Sequence, residues 1–217
     1  AVVFGSMGLA YAAEATGAQT DKGRVQAYPD YSELEQTALR LMERQAADGS
    51  MPVDEVNPPI VQGKFMTTAN ALIAMDWNAD HSEDPKYGQF VEKAVAWIVS
   101  NEPQTNQDKI FKVISLMHYG TPDQKRLAWS VVETLASEQQ QDGGWKENSA
   151  SAGSNAIATG QVLYAFKQAG VSIHGDMFRR GVDFLLGHQD KDPASLDNGS
   201  WNAMNTASKT PSAFAHT

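Results

Sequence analysis

The sequence contains no cysteine. This absence excludes disulfide bonds, metal sites built from thiolates and any mechanism that uses a cysteine nucleophile. It leaves the cellular compartment open, because an exported protein need not contain disulfides.

Basic residues are also few. Lys and Arg total 17 against 26 for Asp and Glu, so the formal net charge is -9. Affinity for nucleic acid comes from Lys and Arg that neutralise phosphates, and we therefore expect no nucleic-acid partner. The hydrophobic content of 41% is ordinary for a folded protein. The chain has 217 residues, and residues 31–217 are expected to form one domain.

Several patterns that would point to other folds and enzymes are missing. No nucleophile elbow, phosphate-binding loop or dinucleotide-binding motif occurs, and the histidines form no His-x-x-x-His pair. No segment shows the period-two alternation of a half-buried strand. The sequence therefore predicts an all-α fold.

The N-terminal segment is apolar and rich in small residues over positions 1–15. Its Ala10-Tyr11-Ala12 and Ala13-Glu14-Ala15 triplets have the small-x-small spacing of a signal-peptidase site. We therefore expect a periplasmic or secreted protein. Residues 1–15 are interpreted as a signal-peptide remnant or as an apolar anchor that associates with a membrane. Residues 16–30 are polar, contain Gly and Pro, and are predicted to form an extended lead-in.

Helical periodicity begins after this lead-in. Predicted helices alternate between segments that are apolar all round and segments with one apolar face, as expected for inner and outer helices packed in antiparallel pairs. Gly120 should end one helix, and Thr121 with Pro122 should begin the next. The predicted helices cover about residues 31–45, 65–77, 87–100, 108–119, 122–135, 155–169 and 174–186, and a last inner helix begins at about 208.

A Gln-rich turn motif follows the predicted outer helices. A degenerate copy covers Arg44 to Ser50, with Met51 where Trp is expected. In such a turn Asp caps or bends the chain, Gly supplies a positive φ, and Trp packs across helix ends. We interpret these residues as structural. The two clear copies consist of Gln139, Asp142, Gly143, Gly144 and Trp145, and of Gln189, Asp197, Gly199 and Trp201.

These turns resemble the QW-type turn of the prenyltransferase/squalene-oxidase (terpenoid cyclase-like) repeat family. The resemblance is clear over about residues 122–217 and weaker over 31–120. It implies antiparallel helix pairs that form a partial α/α toroid. About three and a half pairs are too few to close a ring, so we expect that the chain is incomplete at its C-terminus or that another chain completes the ring.

The catalytic groups of this family have no match in the sequence. Class II terpene cyclases of the family use an Asp-x-Asp-Asp acid, and its protein prenyltransferases bind zinc through Asp, Cys and His. Asp190-Lys191-Asp192 does not match the first pattern, and the lack of Cys excludes the second. The resemblance therefore implies a module without catalytic activity, and no cofactor is expected.

A few polar residues still have a possible chemical role. Asp76 ends a predicted buried helix and could be a general acid in a central cavity, as could Asp142 or His118. The simpler interpretation of such Asp residues is a cap or a tether of a loop. One loop gathers several oxygen ligands that could hold calcium, although the EF-hand spacing is absent. These calcium candidates are Asp190, Asp192 and Asp197.

Two functions remain open from the sequence. The first is a non-catalytic exported module that binds other protein chains as an accessory subunit of an envelope or membrane-associated complex. The alternative is a toroidal enzyme or binding protein for an isoprenoid, lipid or polysaccharide ligand. The alternative predicts a closed, apolar pocket that contains a carboxylate with a perturbed pKa.

Overall fold

The computed structural model describes residues 31–54, 56, 63–205 and 210–214. The apolar segment 1–15 and the lead-in 16–30 lie outside these described residues. The fold is all-α, as predicted, with one short β-hairpin near its C-terminal end. The helices are α1 (Tyr31–Arg44), α2 (Lys64–His81), α3 (Pro85–Ser100), α4 (Asn106–Tyr119), α5 (Pro122–Ser137), α6 (Ala156–Gln168) and α7 (Asp176–His188).

The hairpin corrects the sequence prediction. Strand β1 (Trp201–Asn205) pairs with β2 (Thr210–Phe214) in antiparallel register, with Trp201 opposite Phe214. The last inner helix, predicted from about 208, is therefore wrong over β2. Pro211 lies inside β2, and proline in a helix interior removes a hydrogen bond and clashes with the preceding turn. A prolyl residue is tolerated in an edge strand, and both strands of a two-stranded sheet are edges.

Helix ends follow local capping chemistry. The Thr121 hydroxyl accepts a hydrogen bond from the backbone N–H of Gln124, whose side chain accepts one from the backbone N–H of Thr121. Pro122 occupies the first position of α5, and Gly120 caps α4, as the sequence predicted. Asn155 caps α6 through its side-chain oxygen, which accepts from Ala158 N at 2.7 Å.

Helices α1 and α3 and most of α2 build the first of two compact units, which among the described residues comprises 31–53 and 67–101. The three helices share one apolar core, because each presents small or aromatic residues at helical spacing. Tyr87 is buried in this core, and its hydroxyl donates to the carboxylate of Glu35 at 3.4 Å. The buried members of the core are Ala38, Leu41, Met51, Ala71, Ala74, Met75, Tyr87 and Phe90.

Helices α4 to α7, the hairpin and the first three residues of α2 belong to the second unit. Helix α4 packs against both α5 and α6, and α6 also contacts α7 and β1. An ion pair joins Lys109, in the first turn of α4, to Glu138 at the end of α5, which shows that these helices run antiparallel. The buried core consists of Ile110, Val113, Ile114, Val132, Leu135, Trp145, Val162, Leu163, Ala165, Phe166 and Ala169.

None of the described helices has both the length and the apolar character that crossing a bilayer requires.

Candidate functional site

The turn after α5 ties two helices together through one side chain. The Nε2 amide of Gln139 donates to the carbonyl oxygen of Gly143 at 2.8 Å and to that of Met177 at 2.9 Å. Gly143 lies in the turn itself, whereas Met177 is in the first turn of α7. A single amide group therefore holds the end of α5 against the beginning of α7.

Gly143 allows this close approach because it has no Cβ. Its φ of 89° lies in the left-handed region that glycine adopts without penalty. A Cβ at this position would lie 2.5 Å from the backbone carbonyl oxygen of Arg180 in α7. The guanidinium of Arg180 then reaches back and donates to the carbonyl oxygens of Gln140 and Gln141, at 2.9 and 3.2 Å.

Trp145 closes the turn from the inside. Its side chain is fully buried, and its indole Nε1 donates to the carbonyl oxygen of Leu135 at 2.7 Å. The indole ring meets Phe166 edge to face, with 5.7 Å between the ring centroids. Its backbone N–H donates to Thr159 Oγ1 at 3.0 Å. Trp145 thus links the end of α5 to α6 with both polar and apolar contacts.

The degenerate turn after α1 lies in the first unit, and its Gln makes the same two kinds of contact as Gln139. The Nε2 amide of Gln45 donates to the carbonyl oxygens of Gly49 and Phe90, at 3.1 and 3.0 Å. Gly49 has a φ of 93°, and a Cβ there would collide with the carbonyl of Lys93 in α3. Met51 is buried where the other turns carry Trp. The replacement of Trp by Met therefore leaves the backbone of the turn unchanged.

The turn after α7 is the third copy, although nine residues separate its Gln from the Gly. Nε2 of Gln189 donates to the carbonyl oxygen of Gly199 at 2.8 Å, and Gly199 has a φ of 84°. The indole of Trp201 donates to the carbonyl oxygen of Leu185 at 2.7 Å, as Trp145 does to Leu135. Within the described residues, we find only this one acceptor for the Gln189 amide.

Asp142, one of the three catalytic candidates, is exposed and engaged in its own turn. Its Oδ1 accepts hydrogen bonds from the backbone N–H of Gly144 at 3.0 Å and from the Ser154 hydroxyl at 2.9 Å. Asp48 makes the equivalent contact in the first turn, where its Oδ1 accepts from Ser50 N at 2.9 Å. These contacts match the turn-forming chemistry of Asp. Neither the Asp142 nor the Asp48 carboxylate is directed into a cavity.

The other two catalytic candidates are His118 and Asp76. His118 is exposed in the last turn of α4. Asp142 follows the opposite end of the antiparallel α4 and α5 pair, about 20 Å away along a helix of this length. Asp76 is half-buried in α2 and belongs to the first unit. Within the second unit, His118 and Asp142 therefore do not share a site.

The acidic loop proposed for calcium folds on itself. Oδ1 of Asp190 accepts from Asp192 N at 2.9 Å, and Oδ2 accepts from the Ser195 hydroxyl at 2.6 Å. The Ser195 bond, followed by the Asp192 bond, lowers the pKa of the Asp190 carboxyl. Oδ1 of Asp192 accepts from Ala194 N, and Asp197 donates its backbone N–H to Ser195. No three His, Cys, Asp or Glu side chains of the described residues form a metal-binding group.

One cleft of the second unit lies where α4 begins and α5 ends. It has a volume of about 230 Å³, opens to solvent and carries the ion pair between Lys109 and Glu138. Lys146, on its rim, has an ammonium group without a partner among the described residues. This open, polar cleft does not have the closed, apolar character that an isoprenoid or lipid site requires. It is lined by Gln104, Asn106, Lys109, Glu138, Gln140, Lys146, Asn148 and Ser149.

Sequence reasoning missed the burial of Lys112 in α4. The residue is only 2% exposed, and this burial lowers the pKa of its ammonium, while the charge of Glu102 acts in the opposite direction. Helix α4 lies between α5 and α6, so even its polar residues are enclosed. No signal within the sequence of α4 reveals this burial, because it depends on the two helices that cover α4.

Helix α6 has one side that its neighbours leave uncovered. The sequence predicts a helix that is buried all round, and Val162, Ala165 and Phe166 are indeed fully buried. Tyr164, however, is 48% exposed, and Ile157 is only half-buried on the same side. These two positions are seven residues apart, which places them two helical turns apart on one face. We call this face, with Ile157 and Tyr164, the open side of α6.

Comparison with known proteins identifies no family for this chain. No family model matches the sequence, and no curated protein matches it.

Proposed function

We propose that this chain is a non-catalytic, exported α/α-repeat module that binds protein as an accessory subunit of an envelope or membrane-associated complex. The open side of α6 carries this proposal. An inner-type helix that is apolar all round exposes Tyr164 and part of Ile157 to solvent. Aromatic residues are enriched in protein interfaces because they combine a large apolar area with a polar group.

The arrangement of the polar residues supports the non-catalytic part of the proposal. Asp142 accepts hydrogen bonds within its own turn, and His118 lies at the other end of the helix pair. General acid and base groups must reach the same substrate atoms, and these residues do not converge. The three turns position backbone and helix ends, which is a structural task.

The resemblance to the prenyltransferase/squalene-oxidase repeat family supports the proposed architecture. Three turns that repeat one set of contacts are what a repeat protein requires, because each repeat is stabilised through its neighbours. The proposal is a partial α/α toroid. The small-x-small triplets between Ala10 and Ala15 support export.

The test is recovery of a native complex. The full-length chain is purified from its own cells under native conditions, together with Tyr164→Arg and with Trp129→Arg as a control. Trp129 is 40% exposed on α5, so its substitution matches the change in charge and size at another exposed aromatic residue. We expect a defined partner with wild type and Trp129→Arg and its loss with Tyr164→Arg. A monomer in all three samples would exclude the proposal.

The polar cleft favours one form of the alternative function, which is binding of a polysaccharide rather than an isoprenoid. Gln104, Gln140 and Asn148 present amide groups, and Lys146 presents a cation. Such groups match hydroxyl and carboxylate groups of an acidic sugar. Calorimetric titration with uronic-acid oligosaccharides tests it: binding that Lys146→Ala abolishes would support it, and no heat of binding would exclude it.

A further inference from the structure

We propose that Asn198 is a site of spontaneous deamidation, and that the loop between Gln189 and Gly199 controls the rate by holding the backbone N–H of Gly199 in a hydrogen bond. The product is a mixture of aspartate and isoaspartate at position 198. The reaction consumes only water, and it does not depend on whether the chain binds protein.

Asn198 precedes the glycine of the turn after α7, and this pair is the only Asn-Gly sequence in the chain. The other two turns carry Asp at the equivalent position, with Asp48 before Gly49 and Asp142 before Gly143. Glycine has no Cβ that could hinder its backbone nitrogen. The following nitrogen therefore reaches the side-chain amide of Asn198 with little steric hindrance.

The reaction begins when the backbone nitrogen of Gly199 loses its proton and attacks Cγ of Asn198. The bond between this nitrogen and Cγ forms, the bond between Cγ and Nδ2 breaks, and Nδ2 takes up a proton and leaves as ammonia. Water then opens the cyclic imide. Attack of water at Cγ gives aspartate, whereas attack at the backbone carbonyl carbon of residue 198 gives isoaspartate, in which the chain continues through Cγ.

The side chain of Asn198 is available for this attack. It is exposed, and no hydrogen bond holds it within the described part of the chain. The hydroxyl of Ser200, two positions later, is buried and has no hydrogen-bond partner among the described residues. In the first turn, by contrast, Asp48 accepts from both the backbone N–H and the hydroxyl of Ser50. Asn198 is therefore not tied to its turn as Asp48 is.

The backbone nitrogen of Gly199, however, is held in the folded loop. It donates to the carbonyl oxygen of Asp190 at 2.6 Å. Because this nitrogen must lose its proton to solvent before it attacks, the hydrogen bond has to break first. In the other two turns the glycine nitrogen donates to the carbonyl three positions earlier. In the turn after α7 the acceptor lies nine positions earlier, so protection depends on the intervening loop.

Ser195 holds this loop closed. Its hydroxyl donates to Oδ2 of Asp190 at 2.6 Å and accepts from the backbone N–H of Asp197 at 3.1 Å. Its backbone carbonyl accepts from the N–H of Asn198 at 3.2 Å. These bonds join Asp190, whose carbonyl protects Gly199, to the residues directly before the glycine. Loss of the Ser195 hydroxyl should therefore make the loop open more often.

Deamidation changes both the charge and the backbone of the turn. It adds one negative charge to a loop that already contains three Asp residues and one Lys, and this repulsion weakens in salt. Isoaspartate also lengthens the backbone directly before Gly199, whose carbonyl accepts from Nε2 of Gln189 at 2.8 Å. The modified chain should therefore hold the turn after α7 less firmly.

The test measures deamidation in the full chain by mass spectrometry. The purified protein is incubated at mildly alkaline pH and digested at intervals, and the fragment that contains Asn198 is quantified in its amide and acid forms. A synthetic peptide of residues 194–203, which lacks the Asp190 acceptor, gives the unprotected rate. We expect the full chain to form the acid at least about tenfold more slowly than this peptide, because the reaction waits for the loop to open.

Two matched serine variants test the role of the loop. Ser195→Ala should raise the rate in the full chain about threefold or more, since it removes hydrogen bonds that keep the loop closed. Ser172→Ala is the control, because the Ser172 hydroxyl also accepts from the backbone N–H two positions later but lies before α7. It should leave the rate within about twofold. Hydrogen exchange of the Gly199 N–H, followed by NMR, should become faster in Ser195→Ala only.

Three results would overturn the inference. Equal rates in the full chain and in the synthetic peptide would show that the loop does not protect Gly199, and equal rates in wild type and Ser195→Ala would show that its contacts do not control the reaction. An acid form that persists in Asn198→Gln would place the modified residue elsewhere. None of these results bears on the recovery of a native partner, so the proposed function is tested separately.

Discussion

The side-chain amide of Gln139 donates to the carbonyl oxygen of Met177 at 2.9 Å, although 38 positions separate the two residues in the chain. The same amide holds the carbonyl of Gly143. One polar side chain thus stabilises a local turn and a long-range helix contact together. Gln45 makes the same pair of contacts with Gly49 and Phe90, so two turns of the chain share this arrangement.

Loss of the Gln139 amide should destabilise the second unit. Gln139→Ala removes two hydrogen bonds, each with a net contribution of about 0.5–1.5 kcal/mol, so we expect unfolding to become easier by about 1–3 kcal/mol. Urea denaturation measures the change. Gln141→Ala is the control, because Gln141 is exposed in the same turn. An equal loss of stability in both variants would contradict the tethering role of Gln139.

Glycine substitutions should separate backbone strain from steric collision. Gly143→Ala combines a positive φ with a clash against Arg180 and should cost about 2 kcal/mol or more. Gly170 also has a positive φ, of 80°, but open space around it, so Gly170→Ala should cost only about 1–2 kcal/mol. Gly153→Ala, with neither feature, should be nearly neutral in thermal unfolding. The same midpoint for Gly143→Ala and Gly170→Ala would show that the contact with Arg180 is unimportant.

Asp142 should tolerate loss of its charge. The amide oxygen of Asn can accept the same hydrogen bonds from Gly144 and Ser154, so Asp142→Asn should change the free energy of unfolding by less than about 1 kcal/mol. Asp142→Ala loses both bonds and should cost about 1–2 kcal/mol. Chemical denaturation measures the free energy of unfolding of both variants. A loss with Asn as large as the loss with Ala would show that the charge itself is required.

The pKa of Lys112 should respond to Glu102. Burial lowers the pKa of the Lys112 ammonium below its usual range, and the negative charge of Glu102 partly opposes this. Glu102→Gln removes that charge, so the pKa should fall further. An NMR titration of the Lys112 side chain measures it, with Glu83→Gln as a control at an exposed position. An unchanged pKa in Glu102→Gln would contradict the proposed coupling.

The lowered pKa also fixes the sign of the pH dependence of stability. The folded state releases the Lys112 proton more readily than the unfolded state, whose pKa is near 10.5. The contribution of Lys112 to stability therefore increases as the pH rises from the folded pKa to that value. Glu102→Gln should widen this pH interval toward lower pH. Urea denaturation across the alkaline range measures the effect.

Local chemistry made most helix ends predictable. Gly120, Thr121 and Pro122 identify the end of α4 and the start of α5, because capping depends on neighbouring residues only. The glycines of the turns were recognisable for the same reason, since a positive φ is a local requirement.

The long-range contacts could not be predicted from the sequence. The pattern at Gln139 identifies a turn, but not that its amide reaches Met177, because this depends on how α7 returns to α5. The burial of Lys112 depends on two helices that cover α4, and periodicity within α4 does not contain that information. The pairing of β1 with β2, in contrast, is local, and Pro211 within β2 argued against a helix there.

The central claim is that the open side of α6 is a protein interface. A photo-crosslinking amino acid placed at position 164 or, as a control, at position 129 tests it in the native setting, because both side chains are exposed aromatics. We expect a single crosslinked partner from position 164 and none from position 129. No crosslink from position 164, or the same products from both positions, would contradict it.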